Sequence, residues 1–170
     1  MLAISNSTAL IPFGIVTFLT WLPSLYDKLV IPEEVYREIV IEGAGMPGAM
    51  EVEQSVKQDQ IEVQMVTDLA GRSDLVRNYG LDLGEAEVIT LALEVGADIV
   101  IIDEDKAWTV AKQFKDRFTT IALPFVLDRA EQLGFIRSSL NALRELRLTA
   151  KYHLAVGPWE CWCKSHGWAP

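Results

Sequence analysis

The sequence predicts an α/β fold with a mostly parallel central sheet flanked by helices. Short apolar runs alternate with longer helical patterns along the chain, which is the signature of strands joined by crossover helices. The run Ile99-Val100-Ile101-Ile102 is β-branched and apolar on both faces, as a central parallel strand must be. Two polar clusters directly follow apolar runs, Asn6-Ser7-Thr8 after Leu2-Ala3-Ile4 and Asp103-Glu104-Asp105 after Ile102. Open α/β sheets bind their ligands just past the C-terminal ends of strands.

The elements follow in order. Leu2-Ala3-Ile4 reads as a buried strand, and Asn6-Ser7-Thr8 as a polar turn that caps a helix. Residues 11–25 are mostly apolar and read as a helix interrupted near Pro12, Gly14 and Pro23. Residues 28–31 form a second strand. Pro32 then starts a helix with Glu33 and Glu34 in its first turn, where the helix dipole favours acids, and Gly43 stops it. Residues 49–58 suit a short helix, and 61–65 alternate like an edge strand. Residues 68–79 are ambiguous and helical in part. The strongest helix spans 83–95, with Asp82 as its cap and Gly96 as its stop. After the strand at 99–102, a helix covers 105–114, a strand 119–122, and helices 125–133 and 138–146.

Composition narrows the function classes. With 170 residues, half of them hydrophobic, the chain is sized for a domain with its own core. Residues 1–147 are expected to form that domain, and 148–170 a Trp-rich tail or short helix packed on the domain or a partner. The net charge of −9 argues against a broad basic face that grips nucleic acid through phosphates alone. It permits a site that holds cations and meets phosphates through them, and it equally describes a plain acidic surface. Cys161 and Cys163 make no disulfide framework, so a reducing, cytoplasmic setting is expected. The N-terminal apolar stretch is broken by Asn6, Pro12, Gly14 and Pro23 and reads as neither a signal peptide nor a span, so no membrane partner is expected.

The acids carry the chemistry. Glu38 lies in a mainly apolar helix, Glu85 in the first turn of the strongest helix beside Gly84, and Asp103 and Asp105 after the central strand. Carboxylates gathered in this way suit Mg²⁺ or Mn²⁺, which take oxygen ligands and keep several waters. Clustered acids repel unless a cation or a proton neutralises them. Each also has a plain structural role open to it: Glu85 at a helix N-terminus, Glu38 on an amphipathic surface, Asp103 and Asp105 as caps, Asn6 as a turn residue. Cys161, Cys163 and His166 could be read as a soft metal site, but a second cysteine–histidine pair is missing. Trp159, Trp162 and Trp168 could stack bases, or pack on the body or a partner. His153 is isolated and reads as structural. No Gly-rich phosphate loop, nucleophile elbow or catalytic triad pattern appears.

The order of elements resembles the PIN-domain family, especially its VapC-like toxin branch. Ile4-Ser5-Asn6-Ser7-Thr8-Ala9-Leu10-Ile11, Val30-Ile31-Pro32-Glu33-Glu34-Val35-Tyr36-Arg37-Glu38-Ile39 and Leu83-Gly84-Glu85-Ala86-Glu87-Val88-Ile89 carry the resemblance. So do the stretch from Ala97 to Ala107, with its Asp103-Glu104-Asp105, and the late Arg129-Ala130-Glu131-Gln132-Leu133-Gly134-Phe135-Ile136. The resemblance implies a PIN-like three-layer sandwich and a Mg²⁺- or Mn²⁺-dependent endoribonuclease acting on RNA. It also implies a small antitoxin protein as a plausible partner and a homodimer. The family's four acids fall on Asn6, Glu38, Glu85 and Asp103, with Asp105 a further acidic neighbour. Glu38, Glu85 and Asp103 are thus the expected catalytic set, and Asn6, Glu38, Glu85, Asp103 and Asp105 the expected metal ligands. Glu87 lies about 200° around the helix from Glu85 and ranks as secondary.

Two departures from the pattern stand out. The family has Asp where this chain has Asn6, and an amide oxygen brings no charge and accepts no proton. Many relatives carry a small Thr or Gly pair after the last strand, where this chain has Ile121-Ala122-Leu123-Pro124. Both suit an alternative reading, a decayed PIN-like module with a binding or regulatory role.

Overall fold

A computed structural model describes residues 1–169, and Pro170 lies outside the described residues. Five strands, β1 (Leu2–Ser5), β2 (Lys28–Pro32), β3 (Glu62–Gln64), β4 (Ile99–Ile101) and β5 (Thr119–Ile121), form one parallel sheet in the order β3-β2-β1-β4-β5. Ile4 pairs with Val30 on one side and Val100 on the other. The middle strand is therefore β1, and β4 sits between β1 and β5. Both are interior, which is why both carry apolar residues on two faces. The alternating β3 is an edge, with Glu62 turned to solvent.

Helices pack over the sheet to complete the three-layer sandwich. The first, α1 (Ser7–Ile15), starts before the apolar stretch at residue 11, because Asn6 is extended and its side-chain oxygen accepts the N–H of Ala9 at 3.2 Å. The rest of the expected 11–25 helix breaks into two short 3₁₀ turns, after Thr17 adopts a left-handed backbone at φ 62°. The next helix, α2 (Glu33–Tyr36), loosens into a π-helical stretch at Arg37–Glu42 and stops at Gly43. Then follow α3 (Ala49–Lys57) and α4 (Leu69–Tyr79). The latter is helical throughout because Asp68 caps it by accepting from Gly71 at 2.9 Å.

The long α5 (Leu83–Val95) has the expected ends, with a reciprocal capping box between Asp82 and Glu85 and left-handed Gly96 at its close. It packs against β1, β2 and β4 and is buried along most of its length. After β4 come α6 (Asp105–Ala111), prolonged by a 3₁₀ turn to Phe114, and α7 (Leu123–Gln132), α8 (Ser139–Thr149) and α9 (Val156–Ser165). The α7 helix begins ahead of Phe125 because Pro124 is tolerated in a first turn. The Trp-rich end of the chain is thus a helix lying against α6. Its Trp162 is fully buried and its indole N–H donates to Asp128 at 2.6 Å, an anchor of the kind that costs about 3–5 kcal/mol to truncate. Among the described residues, no helix is long and apolar enough to cross a membrane.

Candidate functional site

The strand order fixes where a ligand can enter. The chain passes from β1 to β2 to β3 in one direction, then returns to β4 and β5 on the other side of β1. The crevice between the C-terminal ends of β1 and β4 is the topological switch point. Asn6 follows β1 directly, and Asp103 lies just past the end of β4. Glu38 comes from the π-helical stretch after β2, and Glu85 from the first turn of α5. Four separate elements therefore supply the expected residues.

Asp103 is the most deeply placed. One of its oxygens accepts the N–H of Leu123 at 2.9 Å, while Oδ2 is buried without a hydrogen-bond partner. The Tyr152 hydroxyl faces this carboxyl but makes no well-formed bond with it and is likewise unpartnered. Burial pushes the Asp103 carboxyl up to about 7; the Leu123 N–H and Tyr152 oppose the shift, and the neighbouring Glu104 charge adds to it. The Tyr152 phenol is itself raised, by burial first and then by the Asp103 charge, so it stays neutral.

Glu38 and Glu85 share the same tendency. Burial raises Glu38 most; the Ser7 hydroxyl opposes this, and Asp82, Glu34 and Glu42 add to it. The carboxylate of Glu38 lies over the start of α5, where a Cβ on Gly84 would come within 2.5 Å of its Oε1. A side chain at position 84 would push the end of Glu38 aside. Burial also raises Glu85 most; the hydrogen bond from the Asp82 N–H opposes this, the Asp82 and Glu104 charges add to the rise, and Lys106 opposes it. Its Oε2 accepts the N–H of Asp82 at 3.0 Å, so the plain capping role is real, and the acids near it are Asp82 and Glu104.

Asn6, Asp105 and Glu87 each have structural partners. The amide nitrogen of Asn6 donates to Glu104 at 2.6 Å, and its oxygen is taken by the α1 cap. Asp105 is turned away to the C-terminal helix, where its two oxygens accept from Gly157 at 2.7 Å and Val156 at 3.3 Å. Glu87 is buried in an ion pair with Arg72 at 2.8 Å and accepts the N–H of Glu34 at 3.2 Å, a role that ties α5 to α4 and α2. Sequence reasoning gave Glu104 only as part of a cluster and Asp82 only as a helix cap, and it passed over Tyr152. Glu104 and Asp82 were visible as members of acidic stretches, but nothing local to Tyr152 announces that it covers Asp103, some fifty positions earlier.

Among the described residues, no three acidic, histidine or cysteine side chains stand close enough to enclose an ion, and this includes Cys161, Cys163 and His166. The donors at the crevice nonetheless fit a hard divalent cation in their chemistry. All are oxygens, one buried carboxylate oxygen lacks a partner, and Gly84 leaves space for Glu38.

A parallel sheet that carries polar side chains past the C-terminal ends of its strands at the switch point is the arrangement in which open α/β proteins bind their ligands. A family model described as a PIN domain matches residues 2–159, and the chain belongs to the PIN-domain family. No curated protein matches it.

Proposed function

We propose that the protein is a PIN-type endoribonuclease that depends on Mg²⁺ or Mn²⁺. The observation that carries this reading is the electrostatic state of the crevice. Glu38, Glu85 and Asp103 arrive from three elements, burial raises the pKa of each, and Asp103 leaves a buried oxygen without a partner. Such a set favours a proton or a cation as counter-charge. Glu38, Glu85 and Asp103 would have to draw closer than they stand here to hold the ion, with Glu104 as an adjoining acid that Asn6 orients through its amide. A divalent ion supplies Lewis acidity toward phosphodiester oxygens and neutralises the charge that develops there. The protein's own task is to bind that ion, to present the acids from rigid elements, and to keep Tyr152 neutral against Asp103.

The VapC-like resemblance extends this reading to the toxin of a toxin–antitoxin pair, cytoplasmic, with a small antitoxin protein as partner and a homodimer as the assembly. Expression of the chain alone should then arrest growth, and Asp103→Ala should relieve the arrest. Unhindered growth with wild-type protein present at full level would count against the toxin role.

A second reading rests on Asn6. Its amide nitrogen gives Glu104 a hydrogen bond and its oxygen caps α1, so both ends of the amide have a protein partner without a metal. That arrangement suits a PIN module that binds but does not cut. Incubation of a mixed RNA pool with Mn²⁺ or Mg²⁺ separates the readings when wild type, Asn6→Asp and Asp103→Ala are run together. Cleavage by wild type and none by Asp103→Ala supports the nuclease. Cleavage by Asn6→Asp alone supports the binding module on an intact scaffold.

A further inference from the structure

Asp103 offers no oxygen to an ion arriving from solvent. The residue is 3 % exposed, and one carboxyl oxygen is taken by the Leu123 N–H at 2.9 Å. The other, Oδ2, is buried without a partner, and so is the Tyr152 hydroxyl that faces the carboxyl. Two facing polar groups that satisfy neither each other nor water are rare in a protein interior, because each has lost its hydration without gaining a bond. The acids of the crevice are also spread: among the described residues, no three stand close enough to enclose an ion.

The closure is made by the link between α8 and α9, residues 150–155, which carries Tyr152 over Asp103. The link is lightly held between two firm ends. At one end the Ala150 N–H closes α8 on the Leu146 carbonyl at 3.0 Å. At the other, Asp105 accepts the N–H groups of Gly157 and Val156 at 2.7 and 3.3 Å and so fixes the start of α9. Between them, among the described residues, only Tyr152 gives its N–H to the protein, again to the Leu146 carbonyl, at 3.2 Å. Lys151 holds a left-handed backbone at φ 50°, which favours glycine, so the link stores strain in this arrangement. A segment with few bonds opens at a lower free energy than the whole fold. Beside it a cavity of about 520 Å³ is bounded by Thr8, Ile11, Pro12 and Asp103, which leaves room for the Tyr152 ring to swing clear.

We propose, on the reading of Asp103 as a metal ligand, that residues 150–155 form a strap that shuts the crevice, and that a divalent cation reaches Asp103 only when the strap lifts and Tyr152 leaves. Tyr152 touches the acid and no reacting atom, so it is a positioning residue that sets how much of the protein is ready to bind. A site open in a fraction of the molecules binds with an apparent affinity reduced by that fraction. Lifting the strap gives the phenol water and frees Oδ2 for the ion, so a bound ion shifts the population toward the open strap. Metal binding, which ordinarily tightens a protein, here exposes one segment of it.

The test on the full chain is nitration by tetranitromethane, which modifies exposed phenols, read by peptide mass spectrometry. In chelator Tyr79, 41 % exposed, should be nitrated, while Tyr26 and Tyr152, both 6 % exposed, are spared. Saturating Mn²⁺ should raise nitration of Tyr152 by about fivefold or more and leave Tyr26 spared. Calorimetric titration with Mn²⁺ supplies the second readout. Tyr152→Ala should bind Mn²⁺ more tightly by about fivefold or more, and Tyr152→Phe, which keeps the ring over Asp103, should bind as wild type. Adding Asp103→Ala to Tyr152→Ala should abolish the gain. The nitration arm uses wild type, so it decides even where Tyr152→Ala fails to fold. Tyr152 spared alike with and without bound Mn²⁺, equal Mn²⁺ binding by wild type and Tyr152→Ala, or a gain that survives Asp103→Ala overturns the strap and leaves the nuclease reading to the cleavage assay. Absence of Mn²⁺ binding by every variant overturns the strap together with the metal-dependent reading. Opening by Mn²⁺ and tighter binding by Tyr152→Ala, in a protein that never cuts RNA, keep the strap and remove the nuclease reading.

Discussion

At the residue scale the decisive position is Asn6. Its amide nitrogen donates to Glu104 at 2.6 Å, so the pair is held together without any ion. Asn6→Asp would replace the donor with a second carboxylate against Glu104, in a place only 2 % exposed. Like charges at that distance cannot both ionise freely. The variant should therefore lose about 1–3 kcal/mol of stability in chelator, the cost of a buried polar group deprived of its partner. Saturating Mn²⁺ should restore it by mass action, and by more than it stabilises wild type. Thermal melts of both proteins with and without Mn²⁺ read this directly. A variant as stable as wild type in chelator would show that Glu104 turns away, and that the Asn6 contact is incidental.

At the element scale, most of the architecture was legible because its signals are local. Asp82 with Glu85, and Gly96 after Val95, mark both ends of α5 by hydrogen-bonding rules that need no tertiary context. The break at Thr17 and the π-helical stretch at Arg37–Glu42 were not legible, because each follows from what the chain must pack against and not from its own composition. The same limit hid the use of Asp105. In sequence it is one of three acids after β4, and in the fold it caps a helix fifty residues later. Asp105→Ala should therefore release the start of α9, lowering stability by about 1 kcal/mol, as the loss of a helix cap does. Near-ultraviolet dichroism should change as the Trp159–Trp162 pair, with ring centroids 5.6 Å apart, loosens. If Asp105 acts chiefly as a metal ligand, the melt in chelator will not change and only the Mn²⁺-induced shift will shrink.

At the scale of the whole molecule, the strand order carries Asn6 and Asp103, which lie far apart in the chain, to neighbouring strand ends, and the sequence pointed to that placement through its apolar runs and its likeness to a family. Asp103 shows both sides of this. Its place after an apolar strand marked it for a site, but its complete burial beneath Tyr152 depends on a segment with no local signal. The burial has a consequence for the stability of the entire fold. A carboxyl raised from 3.8 to about 7 binds a proton more tightly in the folded chain than in the unfolded one. Its contribution is fully present below the unfolded value and is lost as pH rises through the folded value. The burial-raised Glu38 and Glu85 act in the same direction. Asp27, Glu62 and Glu131 have lowered values and act in the opposite sense, at more acidic pH. Metal-free protein should thus be less stable at pH 8 than at pH 5. Asp103 alone accounts for a difference of about 3 kcal/mol, since roughly two of the three pH units between its unfolded and folded values fall in that interval. Asp103→Asn keeps an oxygen for the Leu123 N–H and removes the titration, so its stability should vary far less over the same interval. Urea denaturation of both proteins at the two pH values, in chelator, decides the matter. Parallel pH profiles would mean that solvent reaches Asp103 and that its charge is not what the fold resists.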